Sequence, residues 1–159
     1  MSVTSRPAGR QSAPARVVRL LSILVMLAGL IMVIAGAVTW FTVQGQLADE
    51  RITVSEDADW FAGEKIDGPL TAYAEAQVIE KHALQASKGK TYAELSREDP
   101  TRQTVMTGSF LRASLFTSVV SFGVAAMAMG VGLLLALIGY ALFKVAQQLS
   151  PPPLTASAA

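Results

Sequence analysis

Two long apolar stretches dominate the pattern of hydrophobic and polar positions along this chain. The first covers residues 20–43, and the second covers residues 113–143 between Arg112 and Lys144, without a charged side chain in either stretch. About 20 consecutive apolar residues are enough to cross the hydrocarbon core of a bilayer. The pattern therefore predicts two transmembrane helices, at residues 17–43 and 113–143.

The second stretch is longer than a bilayer requires. At about 1.5 Å per residue it would extend about 46 Å, against a hydrocarbon core of about 30 Å, so the helix must tilt or project beyond the lipid. No residue between Pro100 and Pro151 breaks a helix. We therefore expect one long helix over residues 100–149, with its first turns outside the lipid.

Small residues recur every seven positions in both apolar stretches. Such residues let helix backbones approach closely within a membrane, and the repeat suits antiparallel helices that cross at about 20°. In the first stretch a second register with the same seven-residue spacing is also possible, formed by Gly29 and Gly36. The alternative explanation is that small residues are simply common in membrane helices. The residues predicted to pack against the other helix or a partner are Ala28, Ala35, Ala125, Gly132 and Gly139.

Turn signals divide the segment that connects the two stretches. Asp67-Gly68-Pro69 predicts a helix that begins at Pro69, continues to about Ser87 and is stopped by Gly89. A weak alternation over residues 51–55 indicates at most a short strand. We expect residues 44–99 to form a small, mostly helical domain.

Two capping signals follow that predicted helix. Thr91 and Glu94 have the spacing of a capping box, which predicts a short helix over residues 91–98. Asp99 before Pro100 combines an N-cap residue with a first-turn proline, and so predicts where the long helix begins.

The charges are segregated along the chain, although the net charge is only +1. All twelve acidic residues lie between Asp49 and Asp99, and residues 44–112 also hold eight basic residues, which leaves that segment at −4. Four arginines precede the first stretch. Basic flanks stay in the cytoplasm, so we expect a two-pass plasma-membrane protein with both termini cytoplasmic and residues 44–112 extracytoplasmic.

The ends of the chain carry two further predictions. Residues 1–15 and 150–159 have too little apolar bulk to offset the entropy of ordering, and are predicted to be disordered cytoplasmic tails. Ala35-Gly36-Ala37 also matches the small-residue pattern of a signal-peptide cleavage site. Cleavage there stays open as an alternative, although the apolar stretch continues past it.

Candidate chemistry is sparse. The chain has no cysteine and one histidine, His82, so it cannot build a thiolate or two-histidine metal site by itself. A calcium site at residues 56–59 would lack the central glycine and terminal glutamate of a helix-loop-helix loop. Neither apolar stretch contains the ionisable residue that a proton relay or transporter needs. We predict no catalytic, cofactor-binding or metal-binding residue, and a protein that is not an enzyme.

Two neighbouring aromatic residues stand out in the acidic connection. Trp60 and Phe61 are flanked by carboxylates. Large aromatic side chains often anchor in a partner's pocket, and we predict that role for both. The alternatives are the local core of the domain or the bilayer surface.

Three segments carry a resemblance to known proteins: DADWFAGEKIDGPLTAYAEAQVIEKHAL, KTYAELSREDPTR and SFLRASLFTSVVSFGVAA. Over residues 17–145 the chain resembles a family of small two-pass membrane proteins of actinobacteria. Its members often carry the label of aromatic ring-opening dioxygenase, yet such enzymes need iron ligands that this chain lacks. The family is similar to accessory subunits of the respiratory supercomplex that joins a cytochrome bc-type reductase to an a-type oxidase. The resemblance implies a subunit without haem or copper.

These observations predict an all-α membrane protein, in which an antiparallel hairpin of two transmembrane helices carries a small extracytoplasmic domain. A domain of about 60 residues without disulfides is marginal alone and is usually steadied by a partner. We therefore expect a non-catalytic accessory subunit of a larger integral membrane complex, with the respiratory supercomplex as the expected partner, and no nucleic acid or small-molecule substrate. A self-associating envelope scaffold and an enzyme are the competing classes.

Overall fold

The computed structural model describes residues 13–148, and helices account for 77% of them. The helices are α1 (Ala13–Asp49), α2 (Pro69–Ala86) and α3 (Arg102–Gln148), with a 3₁₀ turn at Tyr92–Glu94. No strand occurs within the described range, so the expectation of an all-α chain is confirmed. The tails predicted to be disordered lie outside the described residues, except that residues 13–15 already belong to α1.

Helices α1 and α3 are both long and apolar enough to cross a membrane. Only 11% of the most apolar stretch of α1, and 22% of that of α3, is buried inside the protein. The core helix of a soluble protein would be mostly buried. Side chains such as Ile31, Phe41 and Leu134 are instead exposed. The chain therefore contains two helices with the length, composition and apolar surface of membrane spans.

The chain divides into two compact units. The terminal unit contains α1 up to Ile34 and α3 from Ala128 onward, and the central unit contains Ala35–Met127. In the terminal unit the two helix segments are antiparallel, because Gly29 lies against Gly132 while Ser22, one heptad earlier, lies against Gly139.

The central unit has a core built from three parts of the chain. Trp40 of α1 packs edge-on against Phe122 of α3, with ring centroids 4.7 Å apart. Alanines on α2 leave room for the side chains of the preceding loop, of which Val54 and Ile66 are almost completely buried. The buried cluster consists of Leu47, Val54, Ile66, Ala72, Ala74, Ala76, Leu115 and Phe122.

Residues 50–66 form a closed loop rather than a strand. The amide of Val54 donates to the carbonyl of Glu64 (2.8 Å), and the amide of Ile66 donates to the carbonyl of Ile52 (3.0 Å). These bonds produce only an isolated antiparallel bridge. The short strand suggested for residues 51–55 is therefore absent, because one pair of bonds does not extend into a ladder.

A buried carboxylate ties this loop to α2. Oε2 of Glu75 accepts a hydrogen bond from the amide of Ser55 (2.7 Å), and Oε1 accepts one from its hydroxyl (3.0 Å). Glu75 is only 8% exposed. Burying a charged group is costly unless it is hydrogen-bonded, and here both oxygens of the carboxylate have a donor.

The predicted ends of α2 are confirmed. Pro69 occupies its first turn, and the helix ends at Ala86. The amide of Gly89 then donates to the carbonyl of Leu84 (2.7 Å) with φ +83° at the glycine. Glycine adopts that conformation without steric cost, which is why it ends helices so often.

The capping signals after α2 are also present, although the short helix predicted over residues 91–98 is reduced to the 3₁₀ turn. The backbone amide of Thr91 donates to the Glu94 carboxylate (2.7 Å) and lowers the pKa of that group. Before α3, the Thr101 hydroxyl donates to Asp99 (2.6 Å) and lowers its pKa in the same way. Helix α3 begins only at Arg102, so Asp99 and Pro100 lie in the preceding turn rather than at the predicted N-cap and first turn. Leu95 turns the chain out of the helix because its backbone is extended.

Helices α2 and α3 approach closely in the central unit. A Cβ added at Gly108 would lie 3.2 Å from Cβ of Ala83. Four residues further along α3, Arg112 forms an ion pair with Glu80 (2.7 Å), and its guanidinium lies over the ring of Phe116. These contacts hold the first turns of α3 beside α2.

Candidate interaction surfaces

The helix contact of the terminal unit is made through glycine. A Cβ added at Gly132 would lie 2.6 Å from the carbonyl oxygen of Gly29 and 2.9 Å from the amide nitrogen of Val33. A Cβ at Gly139 would lie 2.8 Å from the carbonyl oxygen of Ser22. The obstructing atoms belong to the backbone and cannot rotate away. No side chain fits at either glycine while the helices keep this distance.

The two residues of α1 that were predicted to pack are not part of this helix contact. Ala28 and Ala35 are exposed, whereas Gly29 and Gly36 are buried. Within the chain, the second register of small residues makes the contact. The glycine register makes the contact, rather than the alanine register, because glycine allows a closer backbone approach than alanine. Ala28 and Ala35 stay predicted as contacts for a partner helix.

Burial repeats every seven residues along both helices. A seven-residue repeat of contacts is the geometry of helices that wind around each other with a left-handed twist. On α3 it includes all three residues predicted from the sequence. The buried residues of the two series are Ala15, Ser22, Gly29 and Gly36 on α1, and Ala125, Gly132, Gly139 and Ala146 on α3.

Trp60 and Phe61 have different environments. Phe61 packs against the core of the central unit, and its backbone has φ +61°, which is uncommon for a bulky residue. Trp60 is 68% exposed. The local-core alternative therefore describes Phe61, and only Trp60 presents its ring at the surface.

A groove of about 390 Å³ lies beside Trp60, and we call it the Trp60 groove. One wall comes from the loop before Trp60 and the other from α2. Tyr73 forms part of the α2 wall, and its ring is held edge-on by Phe116 at 5.8 Å. The lining residues are Asp57, Ala58, Asp59, Trp60, Tyr73, Ala74, Gln77, Val78 and Lys81.

The two carboxylates of the Trp60 groove differ in their partners. Oδ2 of Asp57 lies 2.8 Å from Nε2 of His82 and 3.3 Å from Nζ of Lys81. The hydrogen bond with His82, more than that with Lys81, lowers the pKa of Asp57. Asp59 has no hydrogen bond or ion pair among residues 15–148. The groove therefore contains one neutralised and one free negative charge.

The acidic residues do not form a metal-binding group in the part of the chain that the structure describes. Within it, no three side chains of the metal-binding types are grouped closely enough to hold an ion. Asp57 instead contacts the side chains of Lys81 and His82 on α2. The side chains of residues 56–59 are thus arranged as a surface rather than as a ligand shell.

Sequence reasoning missed the Trp60 groove and the contact between Glu75 and Ser55. Tyr73 and Glu75 lie on a helix that was identified correctly, but the opposite wall of the groove and the partner of Glu75 belong to a loop without regular structure. Nothing in the local pattern pairs Glu75 with a residue 20 positions away. The signal that could have indicated this contact was Glu75 itself, an acidic residue on the alanine-rich and otherwise apolar face of α2.

No known family model matches the chain, and neither does any curated protein or solved structure. The site must therefore be interpreted from its own geometry.

Proposed function

We propose that this chain is a non-catalytic accessory subunit of a larger membrane complex. The observation that carries the proposal is the apolar surface that α1 and α3 leave uncovered, since only 11% and 22% of their most apolar stretches are buried. Lipid covers such surface, and so do the helices of a larger integral protein. Close packing with a further helix requires small residues on the outside, and Gly123 and Gly130 of α3 are surrounded by open space.

The proposed topology is a two-pass hairpin in the plasma membrane. Four arginines before the first span favour a cytoplasmic N-terminus. Two crossings then return the C-terminus to the same side, and leave residues 44–112 outside. The charges of this segment sum to −4, so its outer surface favours cationic partners.

The expected partner comes from the sequence resemblance. It directs the first test to the respiratory supercomplex that joins a cytochrome bc-type reductase to an a-type oxidase. In this role the exposed residues Ala28 and Ala35 would contact a neighbouring helix, and Trp60 would contact a protein outside the membrane. The chain would contribute packing and a docking surface, and no redox centre.

Affinity purification from native membranes tests this function. We expect a tagged chain, extracted in mild detergent, to co-purify in fixed stoichiometry with large integral membrane proteins that mass spectrometry identifies. An unrelated tagged two-pass protein of similar length serves as the control. Recovery only as a free monomer would contradict the proposal. Crosslinking into a homo-oligomer, without other proteins, would favour the self-associating scaffold.

The topology can be tested separately, because the natural chain has no cysteine. Gln85 is exposed on α2, and Gln85→Cys should react with a membrane-impermeant maleimide in intact cells. Ser5→Cys should react only after the cells are permeabilised. The reverse pattern would contradict the proposed orientation. A mature protein that begins after Ala37 would show that the first span is cleaved.

A further inference from the structure

The Trp60 groove combines two aromatic rings with a free carboxylate. Trp60 is 68% exposed, and Tyr73 is 41% exposed although its ring is held by Phe116. A cation over the face of a tryptophan or tyrosine is attracted to the negative face of the ring. Asp59, which has no ion pair among residues 15–148, lines the same groove. Both features favour a positively charged occupant.

The charges restrict the type of occupant further. Asp57, Asp59 and Lys81 give the groove lining a net charge of −1, within a segment whose net charge is −4. An anionic lipid surface would be repelled by such a segment. A basic side chain of a protein would be attracted to it. Arginine suits the site better than lysine because its planar guanidinium both stacks on aromatic rings and pairs with carboxylates.

We propose that the Trp60 groove binds an arginine of a basic extracytoplasmic segment in a partner protein, over the Trp60 ring and beside the Asp59 carboxylate. This proposal rests on the proposed function, because it names the surface through which the accessory subunit recognises its partner. It also explains why a large aromatic side chain is kept exposed outside the predicted spans.

A binding experiment can observe the groove directly. The chain has two tryptophans, so the full-length Trp40→Phe variant leaves Trp60 as the sole indole and keeps an aromatic ring against Phe122. The probe is the peptide acetyl-Arg-Gly-Arg-amide, titrated into this variant in detergent. We expect a saturable change in Trp60 fluorescence that weakens as salt is added. Acetyl-Gly-Gly-Gly-amide should produce no change.

A matched pair of charge variants separates the groove from the overall charge. Asp59→Asn removes the free carboxylate, and we expect it to weaken peptide binding about fivefold. Glu98→Gln removes the same charge from an exposed position that does not line the groove, and should leave the affinity within about twofold. Equal effects of the two variants, or no saturable binding, would overturn the proposal.

Two further measurements complete the test. The first asks whether Trp60 lies in the bilayer, and the second asks whether a failure concerns the groove alone or the proposed function. In nanodiscs, quenching of Trp60 by brominated lipid without a response to the peptide would place the ring in the membrane and overturn the proposal. In native membranes, Trp60→Ala should reduce recovery of the partner at least several-fold while the thermal unfolding temperature is unchanged. Unchanged recovery by Trp60→Ala would overturn the groove proposal alone. If even the wild-type chain recovers no partner, the proposed function fails.

Discussion

Gly132→Ala is expected to lower the free energy of unfolding by about 2–3 kcal/mol, the upper part of the range for overpacked sites. The new methyl group would lie 2.6 Å from the carbonyl oxygen of Gly29 and 2.9 Å from the amide of Val33. Both are backbone atoms, so the helices of the terminal unit must move apart. The loss can be measured by reversible unfolding of the purified protein in mixed micelles of mild detergent and dodecyl sulfate.

Gly130→Ala is the matched control for this substitution. It adds the same methyl group two residues away on α3, where nothing lies within 4 Å of the new Cβ. The change in helix propensity is the same for both variants, so their difference isolates the contact. We expect Gly130→Ala to be neutral or slightly stabilising. Equal stabilities of the two variants would show that α1 and α3 do not meet at Gly132.

The distance between the helices supplies an independent measurement. Spin labels at Leu27→Cys and Leu137→Cys, both at exposed positions of the terminal unit, would report the separation in a bilayer. Gly132→Ala should lengthen or broaden the distance distribution, and Gly130→Ala should not. Combining Gly29→Ala with Gly132→Ala should cost less than the sum of the single losses, because contacting residues are not additive.

Glu75→Ala is expected to destabilise the central unit by about 2–3 kcal/mol, since it removes hydrogen bonds to a charged group and leaves partly buried donors without an acceptor. Those donors are the amide and the hydroxyl of Ser55, at 2.7 and 3.0 Å. The loss should concentrate in residues 50–66, because Glu75 ties that loop to α2. Hydrogen exchange of the amides of Val54 and Ile66, which are bonded within the loop, measures it.

Three variants define the origin of that effect. Glu75→Gln keeps one acceptor oxygen and should lose about half as much, and Ser55→Ala should lose about 1 kcal/mol because the amide keeps its partner. Gln85→Ala, at an exposed position of α2, should leave exchange in the loop unchanged. Wild-type protection in Glu75→Ala would show that the loop is held by its apolar side chains alone.

The ends of α2 were predictable because each is specified by a few neighbouring residues, whereas no such signal marked the ends of α1. Pro69 and Gly89 mark the ends of α2. Asp99 accepts its backbone bond in the turn just before α3, which begins later than predicted, at Arg102. Prediction was weaker where a helix needed contacts with distant residues in addition to its local capping signal. The capping box at Thr91 is present, yet the helix that it begins stops after three residues.

The candidate surfaces were predicted less completely than the helices. On α3 the glycines at 132 and 139 were identified, because their spacing coincides with the face that packs. On α1 the sequence contains two adjacent heptad series of small residues, and nothing within that helix distinguishes them. The structure buries Gly29 rather than Ala28. The choice depends on a carbonyl of the opposite helix, which no local pattern contains.

The sequence by itself determined the two long apolar helices, the ends of α2 and the acidic connection, because hydrophobic length, turn signals and charge are properties of consecutive residues. Only the tertiary structure decided which small residues meet, which of two adjacent aromatic rings is buried, and where the Glu75 carboxylate finds its donors. Each of these depends on an approach between segments far apart in the chain. Ser55 meets Glu75 across 20 residues, and such a distance is closed by packing rather than by local preference.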